Sequence, residues 1–114
     1  MSGSDVYGFE MIHTKEIAAI TEKERAWILD LRSEESYRNG HIRNARNCPI
    51  ERIDEWRREI PGRVSLILYC EHGNQSLLAA RKLRGRKGAI YTVLGGYQAF
   101  RKEEEMIDTE VFNG

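Results

Sequence analysis

Six consecutive residues, Val64-Ser65-Leu66-Ile67-Leu68-Tyr69, limit the fold more than any other part of the chain. Apolar side chains occupy both alternating sets, so as a strand this run must be covered on both faces. It is far shorter than the roughly 20 residues that span a bilayer. A strand of that kind belongs at the centre of a parallel sheet with helices on either side. The following residues fit that placement. Cys70-Glu71-His72-Gly73-Asn74-Gln75 is polar and contains a glycine, as a loop does, and Ser76 can open a helix through Leu83 that stops near Gly85.

The alternation of strand and helix recurs along the chain. Tyr7 to Ile12 reads as a short strand, and Thr14 can cap a helix through Ile20. Trp27-Ile28-Leu29 is a buried strand ending at Asp30-Leu31-Arg32. Ser33 is an N-cap, with Glu34 and Glu35 where the helix dipole favours negative charge, and Asn39-Gly40 stops that helix. Asn47-Cys48-Pro49 is a short strand or its end. Ile50, Ile53 and Trp56 recur at helical spacing up to Pro61-Gly62. Ala89 to Leu94 is a further strand, closed by Gly95-Gly96, and Tyr97 to about Glu105 is the last helix. The expected fold is α/β, with a mainly parallel central sheet of about five strands flanked by helices on both faces. Ligands of such sheets bind beyond the carboxyl ends of the strands, which is where Cys70 falls.

Composition narrows the function. The chain has 114 residues, enough for one domain and one modest core. Lys plus Arg is 18 and Asp plus Glu is 18, so no cationic excess exists to neutralise nucleic-acid phosphates. Neither a nucleic-acid partner nor a membrane partner is expected. The N-terminus lacks a basic start followed by an apolar stretch, so no signal peptide is expected. Two cysteines, Cys48 and Cys70, make no disulfide framework, and the expected location is the cytoplasm with both thiols reduced. Three histidines and two cysteines show no metal-ligand spacing, so neither metal nor cofactor is expected.

Cys70 carries the chemistry. A thiol at a helix N-terminus meets the positive end of the dipole, which favours its ionised, nucleophilic form. A short loop curled around the sulfur can aim successive main-chain N–H groups at it, and Gly73 supplies the backbone freedom for the curl. Such a cradle holds an anionic adduct as readily as a thiolate. The competing reading of a cysteine after a strand is a small buried hydrophobe.

At this point the chain resembles the rhodanese family of sulfurtransferase-like domains. The resemblance rests on Trp27-Ile28-Leu29-Asp30-Leu31-Arg32, on Gly40-His41-Ile42 with Ala45 and Asn47, on Leu68-Tyr69-Cys70 with Gly73, and on Leu94-Gly95-Gly96-Tyr97. It covers residues 9–104 as a single domain, leaving residues 1–8 as a loose N-terminus and 105–114 as a tail. The Cys70–Gln75 loop resembles that of the sulfurtransferase branch; the phosphatase branch has a loop one residue longer. The resemblance implies a cycle in which Cys70 takes sulfane sulfur from thiosulfate or a persulfide donor, a protein persulfide included, and passes it to a thiol or cyanide. The runner-up reading is a non-enzymatic interaction or regulatory module. Many family members end the loop with an arginine where this chain has Gln75, and Glu71 adds negative charge beside the sulfur. Weak use of thiosulfate is therefore expected, and phosphate or arsenate chemistry is disfavoured.

The remaining site residues each carry two readings. Glu71, His72, Gly73, Asn74, Gln75 and Ser76 form the expected substrate-binding loop. His72 either helps position a donor or acceptor or faces solvent. Ser76 caps the helix, and its hydroxyl can also face the sulfur. The resemblance gives Asp30 and Arg32 a supporting role, tying loops together by hydrogen bonds and an ion pair, and makes His41 mostly structural. Cys48 reads as a packed thiol beside Pro49 rather than as a resolving cysteine. Trp27, Trp56, Tyr69 and Phe100 read as packing residues. Arg81, Lys82, Arg84, Arg86 and Lys87 read as a solvated helix end.

Overall fold

A computed structural model describes residues 8–113, with side chains through residue 104. Apart from Gly8, the expected loose N-terminus lies outside the described residues. The elements are β1 (Glu10–Ile12), α1 (Ile17–Glu24), β2 (Trp27–Asp30), α2 (Glu34–Asn39), β3 (Arg46–Asn47), α3 (Ile53–Trp56), β4 (Leu66–Tyr69), α4 (Asn74–Leu83), β5 (Ile90–Val93) and α5 (Gly96–Asn113). Short 3-10 turns at Thr14–Glu16 and Ile50–Arg52 lead into α1 and α3.

All five strands pair in parallel, in the order β1-β5-β4-β2-β3. The apolar run of the sequence is the central strand, and Leu66 through Tyr69 are all buried. Its side chains divide by the period of two. Leu66, Leu68 and Cys70 join Leu29, Leu31 and Ile90 on one face, under Ile53 and Trp56 of α3 and Ala79, Ala80 and Leu83 of α4. Ile67 and Tyr69 join Ile12, Ile28 and Val93 on the other face, with Ile17 of α1, Tyr37 of α2, and Tyr97 and Phe100 of α5. The chain therefore leaves β4 towards one face and leaves β2 and β5 towards the other. That divergence opens a crevice at the carboxyl end of the central strand.

Three of the boundaries that differ from the sequence reading do so for clear local reasons. Thr14 does not cap a helix. It lies in the 3-10 turn, its hydroxyl donates to the Glu103 carboxylate of α5, and Glu16 reaches back to accept from the His13 N–H at 2.7 Å. The helix after β4 begins at Asn74, so Asn74 and Gln75 are its first residues rather than loop. α5 runs to Asn113, past the expected end near Glu105 and through the expected tail. Ser33 does cap α2, accepting from the Ser36 N–H at 3.2 Å, with Glu34 and Glu35 in the first turn.

Candidate active site

Residues 76, 79, 80 and 83 are the buried positions of α4, the i, i+3, i+4, i+7 stripe of a helix lying on a sheet. Ser76 is the first of them. This is why it lies over the end of β4, and why a small side chain stands there instead of a leucine. It is not the N-cap. That position belongs to Gly73, whose φ of +105° lies in the left-handed region, and no side chain caps the helix. The Ser76 hydroxyl instead donates to the Gly73 carbonyl at 3.0 Å and does not bond the sulfur.

This turn brings two main-chain N–H groups onto Cys70 Sγ. Gly73 donates at 3.1 Å and Ser76 at 3.4 Å. The opposite side of the loop is fixed by the start of α5. Tyr97 N–H donates to the Cys70 carbonyl at 2.8 Å, and Gln98 N–H to the Glu71 carbonyl at 3.2 Å. A trans peptide directs its N–H opposite to its C=O. With no cis bonds among the described residues, holding those two carbonyls on α5 turns the N–H groups of Glu71 and His72 away from that helix. Gly96 makes the close approach feasible: its φ is +61°, and a Cβ there would collide with the Cys70 carbonyl oxygen. The partner that shapes the loop is therefore the Gly95-Gly96-Tyr97 turn. Its glycine pair was visible in the sequence; its contact with the loop was not.

Cys70 itself is 1% exposed. The amides expected around the sulfur are present, whereas an openly exposed sulfur is not. Cys70 is packed at the loop floor among Leu68, Ala79 and Ala80.

Beside the loop lies a buried polar network. Asp30, fully buried, accepts from Arg32 Nε at 3.0 Å, from Arg32 Nη2 at 2.7 Å, from the Arg32 main-chain N–H at 2.9 Å and from the Tyr69 hydroxyl at 2.6 Å. Tyr69 accepts from the Ile42 N–H at 3.1 Å. Arg32 also donates to the Gly40 carbonyl at 2.6 Å and to Glu71 at 3.2 Å, and its guanidinium lies 4.0 Å over the Tyr97 ring. Burial opposes the Arg32 cation, but hydrogen bonds and charge from Asp30, together with Glu71, outweigh it and hold the guanidinium above its ordinary value. Burial and the hydrogen bond to Asp30 push the Tyr69 phenol well above its ordinary range, so it remains a neutral donor. The Glu71 carboxyl is held below its ordinary value, first by a hydrogen bond from Gln98 and then by Arg32.

Asp30 and Arg32 thus join the β2 exit, the Gly40 turn and the Cys70 loop. Glu71 is not the unmatched negative charge beside the sulfur that its position suggests, because Arg32 and Gln98 hold it. His72, Asn74 and Gln75 are exposed. His41 stands apart: it stacks on Tyr37 with ring centroids 3.8 Å apart and donates from Nδ1 to the Tyr37 carbonyl at 2.8 Å. Tyr97 and Gln98, which brace the loop from α5, were not singled out from the sequence as site residues. Among the described residues, no group of three His, Cys, Asp or Glu side chains is arranged to hold a metal, and no helix is long and apolar enough to cross a membrane.

The model of the rhodanese-like domain matches residues 13–103. The chain belongs to the rhodanese-like domain family. Among curated relatives, thiosulfate sulfurtransferase GlpE of Pseudomonas putida is 29% identical over 94 residues, covering 82% of this chain and 86% of GlpE. A rhodanese-related protein of Thermoplasma volcanium has a similar solved structure, with a TM-score of 0.75 at 26% identity over 83% of this chain and 93% of that one. Reduced CoADR-RHD of Bacillus anthracis shares the fold with a TM-score of 0.74 at 23% identity. That match covers 84% of this rhodanese-like chain but only 17% of the larger protein.

Proposed function

We propose that this rhodanese-like domain is a single-domain sulfurtransferase in which Cys70 carries sulfane sulfur. The observation that supports this most directly is the pair of main-chain N–H groups, from Gly73 and Ser76, directed at Cys70 Sγ. Amides held in this way stabilise negative charge on sulfur without moving during the reaction. In the first half-reaction, the Cys70 thiolate attacks the outer sulfur of thiosulfate; the sulfur–sulfur bond breaks and sulfite leaves with the bonding pair. In the second, cyanide or a thiolate attacks the outer sulfur of the Cys70 persulfide, and the Cys70 thiolate is regenerated. Both cysteines are free, which suits the reducing conditions of a cytoplasm.

The donor is more neutral than thiosulfate. Arg32 does not replace the missing loop arginine, because Asp30, Gly40 and Glu71 already engage it, and Gln75 brings no charge. The loss of one charged hydrogen bond weakens an anionic donor by about 1.5–3 kcal/mol. A persulfide donor, free or on a protein, is therefore preferred.

Turnover decides the matter. With cyanide as acceptor and the uncatalysed cyanolysis of each donor subtracted, thiocyanate should form from cysteine persulfide, which carries less net charge, at lower donor concentrations than from thiosulfate, and Cys70→Ser should add nothing to the uncatalysed rate. A KM for thiosulfate in the low micromolar range would contradict the donor preference. The low exposure of Cys70 favours a second reading, a binding module without turnover, and failure of every donor to yield thiocyanate faster than its uncatalysed rate would establish it.

A further inference from the structure

Next to the Cys70 loop, between α4 and the β1–β5 edge of the sheet, lies a cleft of about 280 Å³ bordered by Met11, His72, Gly73, Leu77, Thr92 and Leu94. Four observations converge on it. Met11 and Leu94 are 53% and 39% exposed, two of the three large hydrophobics left exposed among the described residues. Thr92 on its wall is 1% exposed, and among the described residues Thr92 Oγ1 is the buried side-chain polar atom without a hydrogen-bond partner. A hydroxyl left unsatisfied in this way is unfavourable unless something supplies the missing bond. No Asp, Glu, Lys or Arg borders the cleft. Finally, Gly73 is shared: it lines the cleft and its N–H meets the Cys70 sulfur.

We infer that this cleft is the acceptor subsite, and that its occupant is a small, uncharged, largely apolar thiol carrying one polar group for the Thr92 hydroxyl. The inference rests on the sulfurtransferase reading and names the substrate class of that site. Apolar borders reward methylenes, the absence of fixed charge disfavours an ionic headgroup, and the volume lies at the small end of organic-ligand sites. In the transfer step the acceptor thiolate attacks the outer sulfur of the Cys70 persulfide. The bond between the two sulfurs breaks, Cys70 keeps the electron pair as thiolate, and the acceptor leaves as its persulfide.

The test uses the full chain loaded with sulfur from glutathione persulfide, with loss of the added sulfur followed by mass spectrometry. At subsaturating acceptor, discharge should quicken about fourfold per methylene from ethanethiol to butanethiol until the cleft is filled. It should be faster with 4-mercaptobutan-1-ol than with pentane-1-thiol, and slow with 3-mercaptopropionate. Thr92→Val should load normally and lose the preference for the hydroxylated thiol by about two- to tenfold. Equal rates for all these thiols, or a Thr92→Val variant with an unchanged preference, would overturn the inference while leaving sulfur loading intact. Discharge only by a protein thiol would overturn it equally. Failure to load at all would instead sink the sulfurtransferase reading. The cleft is then tested alone by titrating 4-mercaptobutan-1-ol against amide NMR shifts. Shifts at Leu77, Thr92 and Leu94 that vanish in Thr92→Val support the cleft; their absence, with only water satisfying Thr92, refutes it.

Discussion

Cys48 and Cys70 each follow a strand at the carboxyl edge of one parallel sheet, and both pack into the same apolar cluster. Their surroundings differ in kind. Cys48 is half-buried between Trp27, Trp56 and Ile60, and burial pushes its thiol up to about 11, with Asp30 and Glu59 adding to the effect and Arg46 opposing it. Among the described residues no main-chain N–H is directed at its sulfur; the Cys48 N–H is itself used, donating to the Asp30 carbonyl at 2.8 Å. Cys70 is more deeply buried, yet two amides point at its sulfur. The two sulfurs thus differ in whether main-chain donors are aimed at them, and at Cys70 that is decided by Gly73 and by α5 holding the Cys70 and Glu71 carbonyls.

The contrast can be broken most severely at Arg32. Arg32→Met leaves the Asp30 carboxylate buried without its cation, and the expected loss is about 3–5 kcal/mol in chemical denaturation. Glu71→Gln, which removes only the partly exposed end of the same network, should stay near wild type at pH 7. If Arg32→Met cost no more than Glu71→Gln, the network would not be what positions the loop. Gly96→Ala comes next, with strain of about 1–3 kcal/mol from the positive φ alone, before the collision with the Cys70 carbonyl is counted. Sulfur transfer should fall sharply in Gly96→Ala, whereas Cys48→Ala at pH 7 should leave it unchanged.

Smaller effects sharpen the comparison. With iodoacetamide at pH 7.5, Cys70 should be alkylated before the more exposed Cys48, as read by peptide mass spectrometry; the reverse order would restore exposure as the ruling factor. Titration gives the smallest effect, and its sign follows from linkage. The folded-state value of Cys48, about 11, lies above the unfolded value of about 8.5. The neutral thiol's stabilising contribution is complete below about 8.5 and is lost as pH rises towards 11. Thermal unfolding of Cys48→Ala should therefore decline less steeply over that window than wild type.

The fold was legible because its signals are local. The Leu66–Tyr69 run announces a strand buried on two faces, Ser33 announces a cap, and Ile53 with Trp56 announces a short helix face. The site was legible only in part. Cys70 and Gly73 declare themselves by following that strand. Ser76 looks like a cap from its neighbours alone, and its true place as the first buried position of α4 depends on the helix starting at Asn74. Contacts that join distant segments carry no local sign: Tyr97 and Gln98 holding the loop carbonyls, Tyr69 on Asp30 and Ile42, and Arg32 pairing with Glu71. Thr92 reads as an ordinary strand residue until its hydroxyl is found without a partner.

One measurement bears on the two cysteines and the chemistry together. The protein is treated with glutathione persulfide, trapped, digested, and each cysteine peptide weighed. One additional sulfur on the Cys70 peptide, removed by cyanide, with the Cys48 peptide unchanged, is the expected result. An unmodified Cys70 peptide, or added sulfur found on Cys48 instead, would contradict the claim that amides aimed at a buried sulfur make it the sulfur carrier.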